Sequence, residues 1–261
     1  MSAPPYVKAW RTKWLGAPNT NASVVPATAG LDVSNLSPVL IKGTIRSTPT
    51  AIDCAVVGLL KDGTWWAGQG ANVQAAVTVD TADAQNVTAN DFPLEVANAA
   101  NSGCVFGAAQ PFGAISIATT TNSAGSPVRI VEYWNGTAWT TIAAAGLLVA
   151  PPANWLTTAV EDLILFVPPI DWVKGAGGIA GADEGTYNLR IRSTTAPTTA
   201  GLAARVYLGY VFDGRKALAA NSTWDVAWDN IQGWPCPGAV AAISGAANVA
   251  NEGHVVAIVY R

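Results

Sequence analysis

Arg129-Ile-Val-Glu-Tyr-Trp-Asn-Gly-Thr-Ala-Trp-Thr-Thr-Ile142 is the stretch on which the fold class turns. Large apolar and polar side chains alternate along it, the alternation breaks at Asn135-Gly136, and it resumes at Trp139. A period of two on both sides of Asn-Gly predicts two antiparallel strands and a tight turn, because these two residues tolerate the positive torsions such a turn imposes. Two more runs follow. Leu163-Ile-Leu-Phe-Val-Pro-Pro-Ile-Asp-Trp172 is apolar, and Gly185-Thr-Tyr-Asn-Leu-Arg-Ile-Arg-Ser193 sets Tyr187, Leu189 and Ile191 on one face. Asn188, Arg190 and Arg192 point the other way.

The same short alternating runs recur outward in both directions. Val39 to Trp66 contains apolar runs separated by Gly43, Thr48-Pro49 and Asp62-Gly63, the last a hairpin signal leading into Trp65-Trp66. Ala76–Asp80, Cys104–Phe106, Ile115–Ile117, Ala204–Phe212 and Val255–Arg261 read as further strands. Strands this short, about ten residues apart with turn chemistry between them, predict an all-β, antiparallel β-sandwich or jelly roll. Ala143–Ala150 is the one segment with helical propensity, and Pro151-Pro152 would end it.

Residues 1–38 carry Pro4, Pro5, Pro18, Pro26 and Pro38, a density that opposes helices and central strands and predicts an extended N-terminal arm. Trp10 and Trp14 on that arm would each expose on the order of 200 Å² to water. They are expected to dock, on the parent domain or on a neighbouring subunit. The rest divides into residues 39–74, strands of uncertain partition; residues 75–212, the sandwich module; and residues 213–261, strands that complete the sandwich or form a small subdomain.

Glu-Tyr-Trp-Asn-Gly-Thr-Ala-Trp139, Phe-Val-Pro-Pro-Ile-Asp-Trp172 and Gly-Thr-Tyr-Asn-Leu-Arg-Ile-Arg192, in this order, resemble a β-sandwich module of tailed-bacteriophage structural proteins, related in shape to galactose-binding-like jelly rolls. Val105-Phe-Gly-Ala-Ala-Gln-Pro-Phe112 resembles its early strand. The likeness covers about Ala75 to Val211. It implies a virion component assembled in a host cytoplasm.

Charged residues make up 12% of the 261-residue chain, half the ~25% of ordinary domains, and 11 tryptophans accompany them. A surface so poor in charge suggests coverage by other subunits. Alternatively, the many alanines inflate the hydrophobic count without creating sticky patches. The net charge of −3 and the lack of a basic cluster argue against a nucleic-acid partner. No run reaches the ~18 apolar residues of a membrane span, and the N-terminus lacks the layout of a secretion signal. Cys54, Cys104 and Cys236 are too scattered for a zinc site and read as small buried residues.

Catalytic chemistry has little to stand on. The single histidine, His254, has no Gly-x-Ser-x-Gly elbow or second metal-binding histidine beside it. Glu161-Asp162, Asp183-Glu184, and Asp225 with Asp229 read as solvated turn acids or as calcium ligands. Gly175–Gly181 reads as a flexible inter-strand loop, since no helix follows to receive a phosphate. Trp134, Trp139 and Trp172 are expected in the core, leaving Trp65 and Trp66 as candidates to stack on a host glycan.

The expectation is a non-enzymatic protein without cofactor or metal: a capsid decoration or cement protein that stabilises the head. Its partners would be the major capsid protein and copies of itself, as a homotrimer, through the arm with Trp10 and Trp14. The alternative is a tail, baseplate or head-fibre component that binds a host glycan. Absence of internal repeats and heptads favours the first.

Overall fold

A computed structural model describes residues 8–15, 31–32, 39–46, 52–86, 91–155, 162–211, 216–219, 221–229, 239–244 and 252–259. The chain divides into two units, residues 1–61 with 209–261, and residues 62–208. The first begins with β1 (Lys8–Leu15), β2 (Leu31–Asp32), β3 (Val39–Arg46) and β4 (Ile52–Leu59). The second holds β5 (Trp65–Gly70), β6 (Thr78–Val79), a short helix α1 (Thr81–Gln85), β7 (Phe92–Pro93), β8 (Gly103–Ala108) and β9 (Ala114–Thr121). It continues with β10 (Arg129–Trp134), β11 (Trp139–Thr141), β12 (Leu147–Val149), β13 (Asp162–Phe166) and β14 (Tyr187–Ser193). Strand β15 (Leu202–Val211) leads back to the first unit, where β16 (Lys216–Leu218), β17 (Thr223–Asp229), β18 (Ala239–Ser244) and β19 (Glu252–Val259) follow.

In the first unit β1, β19, β3 and β17 form an antiparallel sheet in that order. Strand β4 pairs with β18, with β16 and with Gly209–Val211 at the end of β15, and β18 also pairs with β2. The sequence left open whether the strands after Val39 and those at the C-terminus form a body of their own. Those up to Leu59 join the C-terminal strands in one unit, with β19 between β1 and β3, whereas Trp65 and Trp66 open β5 of the other unit, so pairing is set by distant chain segments.

The second unit is an antiparallel β-sandwich. One sheet has the order β11-β10-β14-β8-β5-β6; facing it lie β12, β13, β9 and β15, with β7 on the edge of β15. Register sets Tyr133, Leu189, Phe106 and Ala67 in one row across four strands, and all four are buried. Each large apolar side chain in such a row is worth roughly 1.5–3 kcal/mol in removal from water. Trp172 fills the space between the sheets, its ring 5.1 Å from Phe112, 6.0 Å from Tyr187 and 6.2 Å from Phe166. Its indole N–H donates to Asn188 O at 3.0 Å, which satisfies the one polar atom a buried tryptophan carries.

Two local expectations change in the tertiary context. The helical propensity of Ala143–Ala150 yields one 3₁₀ turn, Ala144–Gly146, before β12. Leu147 and Val149 pair with Phe166 and Leu165, and Val167 N donates to Gly146 O, so strand pairing outweighs alanine propensity. Trp134 and Trp139 lie on the opposite face of their sheet from the Tyr133 row, because the period of two sends them outward.

Candidate functional site

That outward face is covered by the chain itself. The segment between Lys174 and Thr186 crosses it, and Trp139 Nε1 donates to Gly177 O at 3.1 Å while Trp66 Nε1 donates to Thr186 Oγ1 at 2.8 Å. Asn188 Nδ2 donates to Gly175 O at 2.9 Å and to Asp183 O at 2.6 Å. Val73, Val105 and Ile179 form a buried cluster beneath, with Trp66, Val77, Trp139 and Ala182 against it. Gly175, Gly177, Gly178 and Gly181 all adopt positive φ. The glycine-rich run is therefore a fitted strap rather than the flexible loop expected from its composition, because its carbonyls and amides are bonded to the sheet.

Charge is buried on the same face. Glu132 Oε2 accepts from Arg190 Nε and from Arg192 Nε, each at 2.7 Å, and Arg192 Nη1 donates to Asn101 Oδ1. The Arg190 guanidinium also sits 4.5 Å from the centre of the Trp139 ring. Burial pushes the Glu132 carboxyl up, but hydrogen bonds from Arg192 and Arg190 and their charges outweigh it, holding the group below its ordinary value. Asn188 and Arg190 thus point away from the sandwich interior, as alternation predicts, yet both are buried.

The expected site residues scatter. Trp65 is 5% exposed, in the interior, so it offers no ring face to a sugar. Trp66 is half-buried, with its indole edge committed to Thr186 and its ring close against Gly107. The interior takes up Trp65, whereas Trp66 keeps part of its surface exposed beside Thr186 and Gly107. Trp10 and Trp14 lie on β1, opposite Ala257 and Gly253 of β19, so this part of the expected arm is a strand paired within its own chain. Their side chains, and Cys236, lie outside the described residues.

The paired acids have local tasks. Asp183 Oδ1 accepts from Gly185 N at 2.7 Å and Glu184 Oε2 from Ala176 N at 2.8 Å, while Asp162 Oδ2 accepts from Thr119 Oγ1. Glu161 lies outside the described residues. Among those described, no three His, Cys, Asp or Glu side chains gather where they could hold a metal ion. His254 stands on β19 opposite Thr44 and Lys13.

An uncharged apolar end is the feature that strand patterning did not single out. Val167-Pro-Pro-Ile170 is fixed by Val167 N on Gly146 O at 2.8 Å, Trp172 N on Pro169 O at 3.3 Å and Val173 N on Trp134 O at 3.1 Å. It nevertheless turns Val167 and Ile170 outward, 55% and 105% exposed, with Val173 at 39%. Ala143, Ala144 and Ala145 are exposed and Leu147–Val149 half-exposed. Neither Ile142–Trp155 nor Leu163–Ile170 contains a charged residue. Asp171 is engaged by the Tyr133 hydroxyl at 2.8 Å. Such a surface can lower its free energy by contact with another apolar surface.

Comparison with protein-family models, curated proteins and solved structures finds no match to this chain. No helix among the described residues is long and apolar enough to cross a membrane.

Proposed function

We propose that this chain is a structural subunit of a bacteriophage virion, a capsid decoration or cement protein on the outer surface of the head. The observation that carries the reading is the rigid, uncharged end made by Val167–Ile170 beside Ala143–Val149, exposed on a chain with only 12% charged residues. Two prolines and three backbone hydrogen bonds pre-set that loop, so little conformational entropy opposes its docking. The virion setting is supplied by the resemblance of the Tyr133, Trp172 and Tyr187 motifs to phage structural modules. The proposed partners are the major capsid protein and further copies of the chain, as a homotrimer, with Trp10 and Trp14 in subunit contact. The glycan-binding alternative loses support with the ring of Trp65 interior and the indole edge of Trp66 bonded.

The test is the number of copies per particle, measured by quantitative mass spectrometry of purified virions. A copy number comparable with that of the shell protein supports decoration; a handful of copies means a tail part, and none removes the virion from the reading.

A further inference from the structure

We propose that Asn135 is a latent deamidation site that the β10–β11 turn holds shut, released when the turn opens. Asn135-Gly136 is the chain's single Asn-Gly step. There the backbone nitrogen of Gly136, once it has given its proton to solvent base, can attack Asn135 Cγ without a side chain in its way. The Cγ–N bond forms, the Cγ–Nδ2 bond breaks, and ammonia leaves with a proton taken from water. Water then opens the resulting succinimide at either carbonyl, giving aspartate or isoaspartate. No oxidant or reductant enters.

Solvent reaches the site, since Gly136 and Thr137 are exposed and Asn135 half-exposed. Conformation therefore controls the reaction. Asn135 Oδ1 accepts from Ala138 N at 2.8 Å and from Thr137 N and Thr137 Oγ1 at 3.0 Å, while Nδ2 donates to Thr140 Oγ1 at 3.1 Å. The Asn135 backbone N–H closes the turn on Ala138 O at 3.2 Å, and Gly136 takes φ +94°. Ring closure brings Cβ and the Gly136 nitrogen into one plane, which sets Asn135 ψ between the β and right-handed α wells. Reaching that torsion gives up the turn and the bonds to the carboxamide. Each such bond slows the reaction by roughly a factor of five, so two or more give at least about tenfold protection.

Modification would be felt beyond the turn. Aspartate loses the donation to Thr140, and isoaspartate inserts a methylene into the backbone beside the Trp134–Trp139 pair, which lies against Gly177 of the strap.

The experiment follows deamidation of the peptide spanning residues 130–174 by mass spectrometry, with the full chain incubated at mildly alkaline pH either native or in guanidinium chloride. The expected result is conversion at least about tenfold slower in the native chain. In Thr137→Val and Thr140→Val chains the native rate should rise toward the unfolded rate, and the unfolded rate should not change. A native wild-type rate equal to or above the unfolded rate overturns the proposal. Should a variant fail to fold by tryptophan fluorescence, the wild-type comparison decides alone.

Discussion

Arg129 and Glu95 meet in a buried, doubly bonded ion pair: Arg129 Nη2 lies 2.7 Å from each carboxylate oxygen, with the two side chains 2% and 1% exposed. Arg129 Nη1 donates to Pro152 O and Ala153 O, its guanidinium lies 4.6 Å from the Trp155 ring centre, and Ser193 Oγ donates to Glu95. Thirty-four residues separate the pair along the chain, and the contacts tie four segments together.

Removing one partner leaves the other charged in the interior. Glu95→Ala should therefore destabilise the unit by about 3–5 kcal/mol, much more than a typical surface change. Guanidinium unfolding followed by fluorescence measures it. A loss under about 1 kcal/mol would show that the pair is structurally idle.

Two carboxylates should move stability with pH in opposite directions. Glu132 has its folded pKa held below its ordinary value by Arg192 and Arg190 against the effect of burial, so it stabilises above the unfolded pKa and that contribution is lost as pH falls through the folded one. Asp80 is pushed from 3.8 to about 6 by burial, by a hydrogen bond with Asp83 and by the charges of Asp83 and Asp91. Its contribution is complete below the unfolded value and lost as pH rises through about 6. Denaturant midpoints across this range should show Asp80→Asn gaining stability at neutral pH and Glu132→Gln losing it. Parallel pH curves for wild type and both variants would contradict the assignment.

Cys104 should be inert in the folded chain. Its Sγ donates to Leu94 O at 3.2 Å, and burial, followed by the charge of Glu95, pushes the thiol well above its ordinary pKa. Maleimide labelling resolved by peptide mapping should modify Cys104 only as fast as the unit unfolds. Rapid labelling under native conditions would refute this.

Ile170 is fully exposed, so Ile170→Asp should leave the unfolding midpoint within about 0.5 kcal/mol of wild type. On the proposed function it should sharply reduce occupancy on particles, measured by quantitative mass spectrometry. Wild-type occupancy would exclude this end from docking.

Much of the fold could be read locally. The hairpin at Asn135-Gly136 pairs Trp134 with Trp139, and alternation in β14 correctly separated Leu189 and Ile191 from Asn188 and Arg190. Strand period and turn chemistry involve residues a few positions apart, so they are written in the sequence directly. What alternation could not tell is whether the second face meets water. Here Gly175–Gly181 lies against Trp139 and leaves it half-buried, while Arg190 and Glu132 on the same face are buried and paired with each other.

The amino-acid sequence by itself determined an all-β chain of short antiparallel strands, poor in charge, with its turns in place. Tertiary structure alone decided that Glu95 would find Arg129, that Glu132 would be shared by Arg190 and Arg192, and that Val167 and Ile170 would face outward. The physical reason is range: a backbone period fixes which side chains share a face, whereas burial depends on which distant segment arrives to cover that face.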